Sequence, residues 1–259
     1  DALDHEVGRL ITHLKSTGEF DNTVFVFLSD NGPEGSDYKE ADLWLRMNYT
    51  RDLDRLGGPG AYVVPGPSWS SASASPFKGF KFYASEGGIR SPLIISGVAT
   101  HSALNQVHAG LTHVTDIVPT LLDLAGVEHP GNRYQGQPIE GLTGRSLLPV
   151  LADPSVRVRK SDESIGYELA GNKALFKGDL KLVWNNPPVG DSQWRLYNLS
   201  VDPGETKDLQ KELPEQFAAM QIEYAAWAKA NVVLPMPEGH DVKKVLYRQL
   251  KRGRVEITN

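Results

Sequence analysis

Apolar residues recur at three- and four-residue steps over the first seventeen positions: Leu3, Val7, Leu10, Ile11 and Leu14. That spacing predicts an amphipathic helix over 1–17. Asp1 and Asp4 in its first turn and Lys15 in its last suit the helix dipole, and Gly18 suits a left-handed stop. Val24–Leu28 is then an unbroken run of β-branched, aromatic and aliphatic residues, the pattern of a strand buried on both faces as in a parallel sheet. Helix, short loop and buried strand make half of a βαβ unit. Residues 32–76 lack clean periodicity and are rich in Gly, Pro and Ser; Trp44, Tyr49, Tyr62 and Trp69 read mostly as anchors for this long segment. Residues 93–96 form a second apolar run, and 115–125 read as a core helix with Thr115 or Asp116 as cap, Pro119 in the first turn and Gly126 at the end.

The pattern changes after about residue 155. The charged stretch 156–164 reads as a boundary. Short strand-like pieces follow at 165–169, 174–176, 180–184 and 194–199, with turns at Gly178-Asp179 and Asp202-Pro203-Gly204-Glu205. A long helix from Pro214 to about Asn231 carries an apolar stripe of Phe217, Met220, Tyr224 and Trp227. The expected fold class is α/β over 1–155, part of a mixed, mostly parallel sheet flanked by helices. A small α+β domain over 156–259 follows: an antiparallel sheet, one long helix and a basic peripheral tail.

Composition adds three limits. The 259 residues are 40% hydrophobic and 23% charged, ordinary for a globular protein. A net charge of −5 gives no electrostatic case for nucleic acid or an anionic membrane, and no apolar run approaches a membrane span. With no cysteine, disulfides, thiolate metal sites and a cysteine nucleophile are excluded within this chain. Its start lacks the shape of a signal peptide and reads as the interior of a fold. The chain is therefore expected to be a fragment, with any targeting segment upstream and the compartment left open.

Candidate chemistry begins where the first apolar run stops, at Ser29-Asp30-Asn31-Gly32. Ligands of open α/β sheets sit beyond the carboxyl ends of the strands. A carboxylate and a carboxamide oxygen are hard donors, suited to Ca²⁺ or Mg²⁺ rather than zinc or copper. The competing reading is plain turn chemistry. Lys78 and Lys81 lie among aromatic residues ahead of Glu86-Gly87-Gly88, where they are either partners for anionic oxygens or ordinary surface lysines. Asp116 reads as a cap. His5, His13, His101, His108, His113 and His129 lack metal-ligand spacing and read as structural or exposed.

Taken together, the blocks LDHEVGRLITHLKSTGEFDNTVFVFLSDNG, KFYASEGGIRSP, HVTDIVPTLLDLAGV, ALFKGDLKLVW and WRLYNLSVDPGETKDL resemble, in order and spacing, the C-terminal portion of a type I sulfatase of the alkaline phosphatase superfamily. Bacterial arylsulfatases are the nearest branch, and the resemblance covers at least 1–230. It implies that Asp30 and Asn31 ligate one divalent cation, Ca²⁺ ahead of Mg²⁺. It implies that Lys81, five residues before Glu86, contacts a sulfate oxygen as a catalytic and substrate-binding group, with Lys78 the second choice and Arg90 structural. It also implies a formylglycine nucleophile, which this chain lacks and the N-terminal half of the same enzyme would supply. The expected substrate is a small-molecule sulfate ester, cleaved at sulfur with cation and lysine stabilising charge. Hydrolysis of phosphonate monoesters or phosphodiesters is the alternative within the superfamily; a catalytically silent fragment needing its N-terminal partner is the third reading.

Overall fold

The computed structural model describes residues 1–35, 47–50, 52–63, 65–98 and 107–237. Contacts divide the chain into two compact units, Asp1–Leu28 with Pro92–Glu163, and Ser29–Ser91 with Ser164–Asn259.

In the first unit, helix α1 (Ala2–Thr17) ends at Gly18 in the left-handed conformation (φ 74°), where the Glu19 N–H donates back to Leu14 O at 2.9 Å. None of its residues is buried; Leu3 is 64% and Leu10 51% exposed. Strand β1 (Phe25–Leu28) pairs antiparallel with β2 (Leu93–Ser96), Phe27 facing Ile94. Burial on both faces was expected for β1, and the described residues do not provide it. Among them the ladder holds two strands, and its Phe27–Ile94 pair stays open, 43% and 58% exposed. Helix α4 (Ile117–Ala125) starts two residues later than the expected 115 and stops, as expected, at Gly126 (φ 65°), but of its residues only Thr120 is buried. Asp116 is its N-cap residue, although its side chain caps no helical N–H; the 3-10 turn ahead of it (Val114–Asp116) is capped by His113, whose Nδ1 accepts the Thr115 N–H, while the Asp116 carboxylate accepts the His113 N–H at 2.7 Å. Burial holds the His113 imidazole below its ordinary pKa, which preserves Nδ1 as an acceptor.

Asp116 is fully buried and every hydrogen bond it accepts is structural. Arg159 clasps it with both guanidinium nitrogens, Nη1 at 2.8 Å, and the Arg145 N–H donates at 2.8 Å. The charged stretch 156–164 is thus pinned through Arg159.

The first unit also holds the short antiparallel pair β3 (Arg133–Tyr134) and β4 (Gln137–Pro138) and the short helix α5 (Leu148–Ala152). In the second unit, strands β5 (Ser164–Leu169), β6 (Asn172–Lys177), β7 (Leu180–Trp184) and β8 (Trp194–Asn198) form an antiparallel meander in sequence order. Gly178 (φ 58°) makes the tight β6–β7 turn. Helix α6 (Pro214–Ala230) lays Met220 and Tyr224 on Leu175, Leu182 and Leu196, with Phe217 and Trp227 at the margin. The segment expected to lack regular structure contains a helix, α2 (Gly66–Ala74), started by prolines at 65 and 67 and burying only Ser70 and Ala74. Its small residues left no periodic apolar signal. Tyr49 packs on Tyr62 with ring centroids 5.4 Å apart, a contact within the segment itself. Trp69 is 72% exposed and anchors nothing, while Trp44 and the tail beyond 237 lie outside the described residues.

Removing the Asp116 carboxylate leaves a buried guanidinium unpaired. Asp116→Ala should destabilise the protein by about 3–5 kcal/mol in urea unfolding; a loss below about 1 kcal/mol would show that this pair does not hold the segment.

Candidate active site

The turn at 29–33 does not stand alone. Three hydrogen bonds lace it to the 81–91 loop: Ser91 Oγ donates to Ser29 O (2.7 Å), Gly32 N–H to Gly88 O (2.8 Å) and Lys81 N–H to Pro33 O (3.0 Å). Asp30, Asn31 and Lys81, singled out from sequence, are therefore carried on one hydrogen-bonded backbone unit. The two strands of chain approach so closely that a Cβ on Gly32 would run into the Gly87 carbonyl. Gly87 is confined in turn by the Lys78 and Gly79 carbonyls, and its N–H donates to Lys78 O at 2.8 Å. Helix α3 (Glu86–Ile89) is the single turn that makes this contact.

Asp30 is exposed and Asn31 half-buried. Among the described residues, neither the Asp30 carboxylate nor the Asn31 carboxamide has a hydrogen-bond or ion-pair partner. Two adjacent, uncommitted hard oxygen donors fit Ca²⁺ or Mg²⁺ in kind. They do not fit it in number: Ca²⁺ takes about six to eight oxygens, and no group of three or more acidic or histidine residues that could hold a metal occurs among the described residues. The Lys81 ammonium stands 3.3 Å from Glu34 Oε2, both side chains about one-third exposed, so this pair is readily exchanged for another anion. Lys78 is exposed, has no ion-pair partner among the described residues, and lines a cleft of about 280 Å³ with Ser85, Asn185, Gln193, Arg195 and Tyr197. Burial, reinforced by the Glu205 and Asp208 carboxylates, pushes the Tyr197 hydroxyl up to about 12 and keeps it neutral. Arg90 lies 3.4 Å from Glu86 and 4.8 Å over the Phe77 ring.

Sequence reasoning missed what stands behind this loop. Lys181, read only as part of a strand, is fully buried on β7, its Nζ 2.8 Å from Glu86 Oε1 and 2.8 Å from Glu205 Oε1. The Glu86 contact is a hydrogen bond; the Glu205 contact is an ion pair without hydrogen-bond geometry. Glu205 Oε2 accepts the Glu86 N–H at 3.0 Å. The one available signal was a lysine embedded in the apolar run of a central strand, where an unpaired charge is not tolerated.

Residues 1–127 match the family described as Sulfatase. The chain is 33% identical over 219 residues to an uncharacterized sulfatase of Schizosaccharomyces pombe, covering 83% of this chain and 39% of that protein. It is 32% identical over 153 residues to an arylsulfatase of Klebsiella aerogenes, covering 57% of this chain and 32% of that protein. Among solved structures, Ps i-CgsB, crystallised with k-i-k-neocarrahexaose, aligns at a TM-score of 0.63 and 22% identity over 97% of this chain and 46% of its own. The likeness establishes the fold, alkaline phosphatase-like, with the antiparallel four-stranded sheet and C-terminal helix in place. The chain spans less than half the length of each of these proteins.

A Cβ at Gly87 would meet the Lys78 and Gly79 carbonyls, so Gly87→Ala should displace the 86–89 turn and, through it, loosen the contact with the 29–33 turn. The Gly32 amide, hydrogen-bonded to Gly88 O, should then exchange with deuterium at least about tenfold faster in native-state exchange. Unchanged protection at Gly32 would mean that the loops are held by other contacts.

Proposed function

Because residues 1–127 match the Sulfatase family, we propose that the chain is the C-terminal part of an enzyme that hydrolyses sulfate monoesters, with aryl sulfates the expected substrate class. The observation that carries this reading is the lacing of the Asp30-Asn31 turn to the Lys81 loop by hydrogen bonds from Ser91, Gly32 and Lys81. It brings two free oxygen donors and a loosely paired ammonium onto one rigid backbone unit.

In this reading Asp30 and Asn31 would hold one divalent cation, Ca²⁺ in preference to Mg²⁺ because a site of mixed carboxylate and carboxamide oxygens suits its looser, larger coordination. The cation supplies Lewis-acid stabilisation of negative charge on the sulfate oxygens. Lys81 leaves Glu34 and donates to a non-bridging sulfate oxygen, lowering the cost of charge that shifts as the S–O bond to the leaving alcohol breaks. Asp30, Asn31 and Lys81 have supporting roles; none of them is the nucleophile. The nucleophile would be the formylglycine expected from the resemblance, carried by a segment outside this chain together with the remaining metal ligands.

The same segment is the partner proposed for the first unit. Helix α1, with Leu3 and Leu10 exposed, and the open Phe27–Ile94 pair are apolar faces that the described residues of that unit do not cover. Produced by itself, the chain should bind a hydrophobic dye and self-associate; a monodisperse, dye-negative monomer would argue against the partner.

In the complete enzyme, Asp30→Ala should weaken calcium binding in titration calorimetry and remove most turnover of an aryl sulfate. Lys81→Ala should lower kcat/KM by about 10²–10³-fold with calcium affinity retained. Full activity and full metal content in Asp30→Ala would refute the ligand assignment. Faster turnover of a matched phosphonate ester than of the sulfate would move the enzyme to phosphorus chemistry with the same groups.

A further inference from the structure

We propose that Lys181 is a positioning residue for the cation and sulfate groups, acting through Glu86 from the C-terminal sheet; the proposal rests on the sulfate-ester reading above.

The four charges at the cluster balance. Lys181 and Glu205 are buried, as is Glu86, and Arg90 completes the set at 3.4 Å from Glu86: two cations and two carboxylates. An ammonium at 0% exposure is stable only when charged partners are close, and here one hydrogen-bonded carboxylate, Glu86, and one ion-paired carboxylate, Glu205, determine its position on β7. That position fixes Glu86, the first residue of α3. Glu86 is held a second time, since its N–H donates to Glu205 Oε2.

The rest of the loop is tied to the same sheet. The Ala84 N–H donates to Asn185 Oδ1 (2.8 Å), Asn185 Nδ2 donates to Ser85 Oγ (2.6 Å), and Asn172 Nδ2 donates to Phe82 O (2.8 Å). Residues 82, 84, 85 and 86 thus each meet a group from β6, from the residue that follows β7, or from the turn at Glu205. On its other side the loop meets the Asp30-Asn31 turn through Gly88 O and carries Lys81. The chain of contact runs from Lys181 to Glu86, through one helical turn to Gly88, then to Gly32 beside Asn31. Side chains on the sheet therefore set the spacing between the proposed cation donors and the proposed sulfate-binding ammonium, although none of them reaches either ligand.

The test uses the complete enzyme and three variants. Lys181→Met leaves two buried carboxylates with one cation and is expected to be unstable. The double variant Lys181→Met/Glu205→Gln keeps the cluster neutral, retaining Glu86 with Arg90. Glu205→Gln alone is isosteric and still accepts the Glu86 N–H, so it carries the test if the others fail to fold. In the double variant the thermal midpoint should return towards that of the parent. Exchange at the Gly32 and Gly87 amides should still be several-fold faster. Calcium affinity should still be about tenfold weaker, as found when groups that orient metal ligands are removed, and kcat should fall with it. Glu205→Gln should show the same changes at smaller size. Normal Gly32 exchange, calcium affinity and kcat in the folded double variant, or in Glu205→Gln, would overturn the proposal and reduce Lys181 to a source of stability. Asp30→Ala is measured alongside: if it leaves calcium affinity and turnover unchanged, the site reading has failed, whereas Gly32 exchange reports on positioning independently of that outcome.

Discussion

A buried ammonium between two buried carboxylates is the constraint on which the second unit turns. Lys181 has no exposure to water, and Glu86 and Glu205 each approach it to 2.8 Å. Taking such charges out of water costs several kcal/mol per ion, recovered only when geometry and further hydrogen bonds are good. Here Glu86 N–H satisfies Glu205 Oε2, and Arg90 supplies the second cation. An apolar trio of the same volume would hold the sheet together as well. It would not fix Glu86 in one position, and everything on the far side of α3 follows from that position.

Two close backbone approaches carry the constraint outward. Glycine at 32 and 87 is required because carbonyls occupy the space a Cβ would need. The resulting contact lets the Asp30-Asn31 turn and the Lys81 loop share hydrogen bonds without side chains between them. In the proposed site, the oxygen donors for the cation and the ammonium for the sulfate oxygen must be spaced to a fraction of an ångström, and backbone-to-backbone lacing achieves this better than contacts between long, mobile side chains.

Much of this was legible in the sequence where a local rule acts alone. Gly18 and Gly126 stop helices as left-handed caps, β7 occupies the whole apolar run Leu180–Trp184, and the Phe217–Met220–Tyr224–Trp227 stripe gives the packed face of α6. Helix α2 was hidden because Ser and Ala leave no amphipathic pattern. The His113 cap was hidden because histidine is an unusual capping residue, made competent here by burial that keeps its ring neutral. The Lys181 cluster was hidden for a different reason: Lys181, Glu86 and Glu205 are 24 to 119 residues apart, and a charge buried by tertiary contact has no sequence period. The open Phe27–Ile94 pair shows the converse, an apolar pattern that is correct for burial but whose cover is not among the described residues.

The central claim is that Asp30, Asn31 and Lys81 act on one sulfate group. It is tested most directly by a crystal structure of the complete enzyme with calcium and sulfate bound. The account predicts the cation within about 2.3–2.6 Å of an Asp30 carboxylate oxygen and of Asn31 Oδ1. It predicts Lys81 Nζ released from Glu34 and within about 3 Å of a sulfate oxygen. A cation bound without Asp30 and Asn31, or sulfate seated with Lys81 still on Glu34, would contradict it.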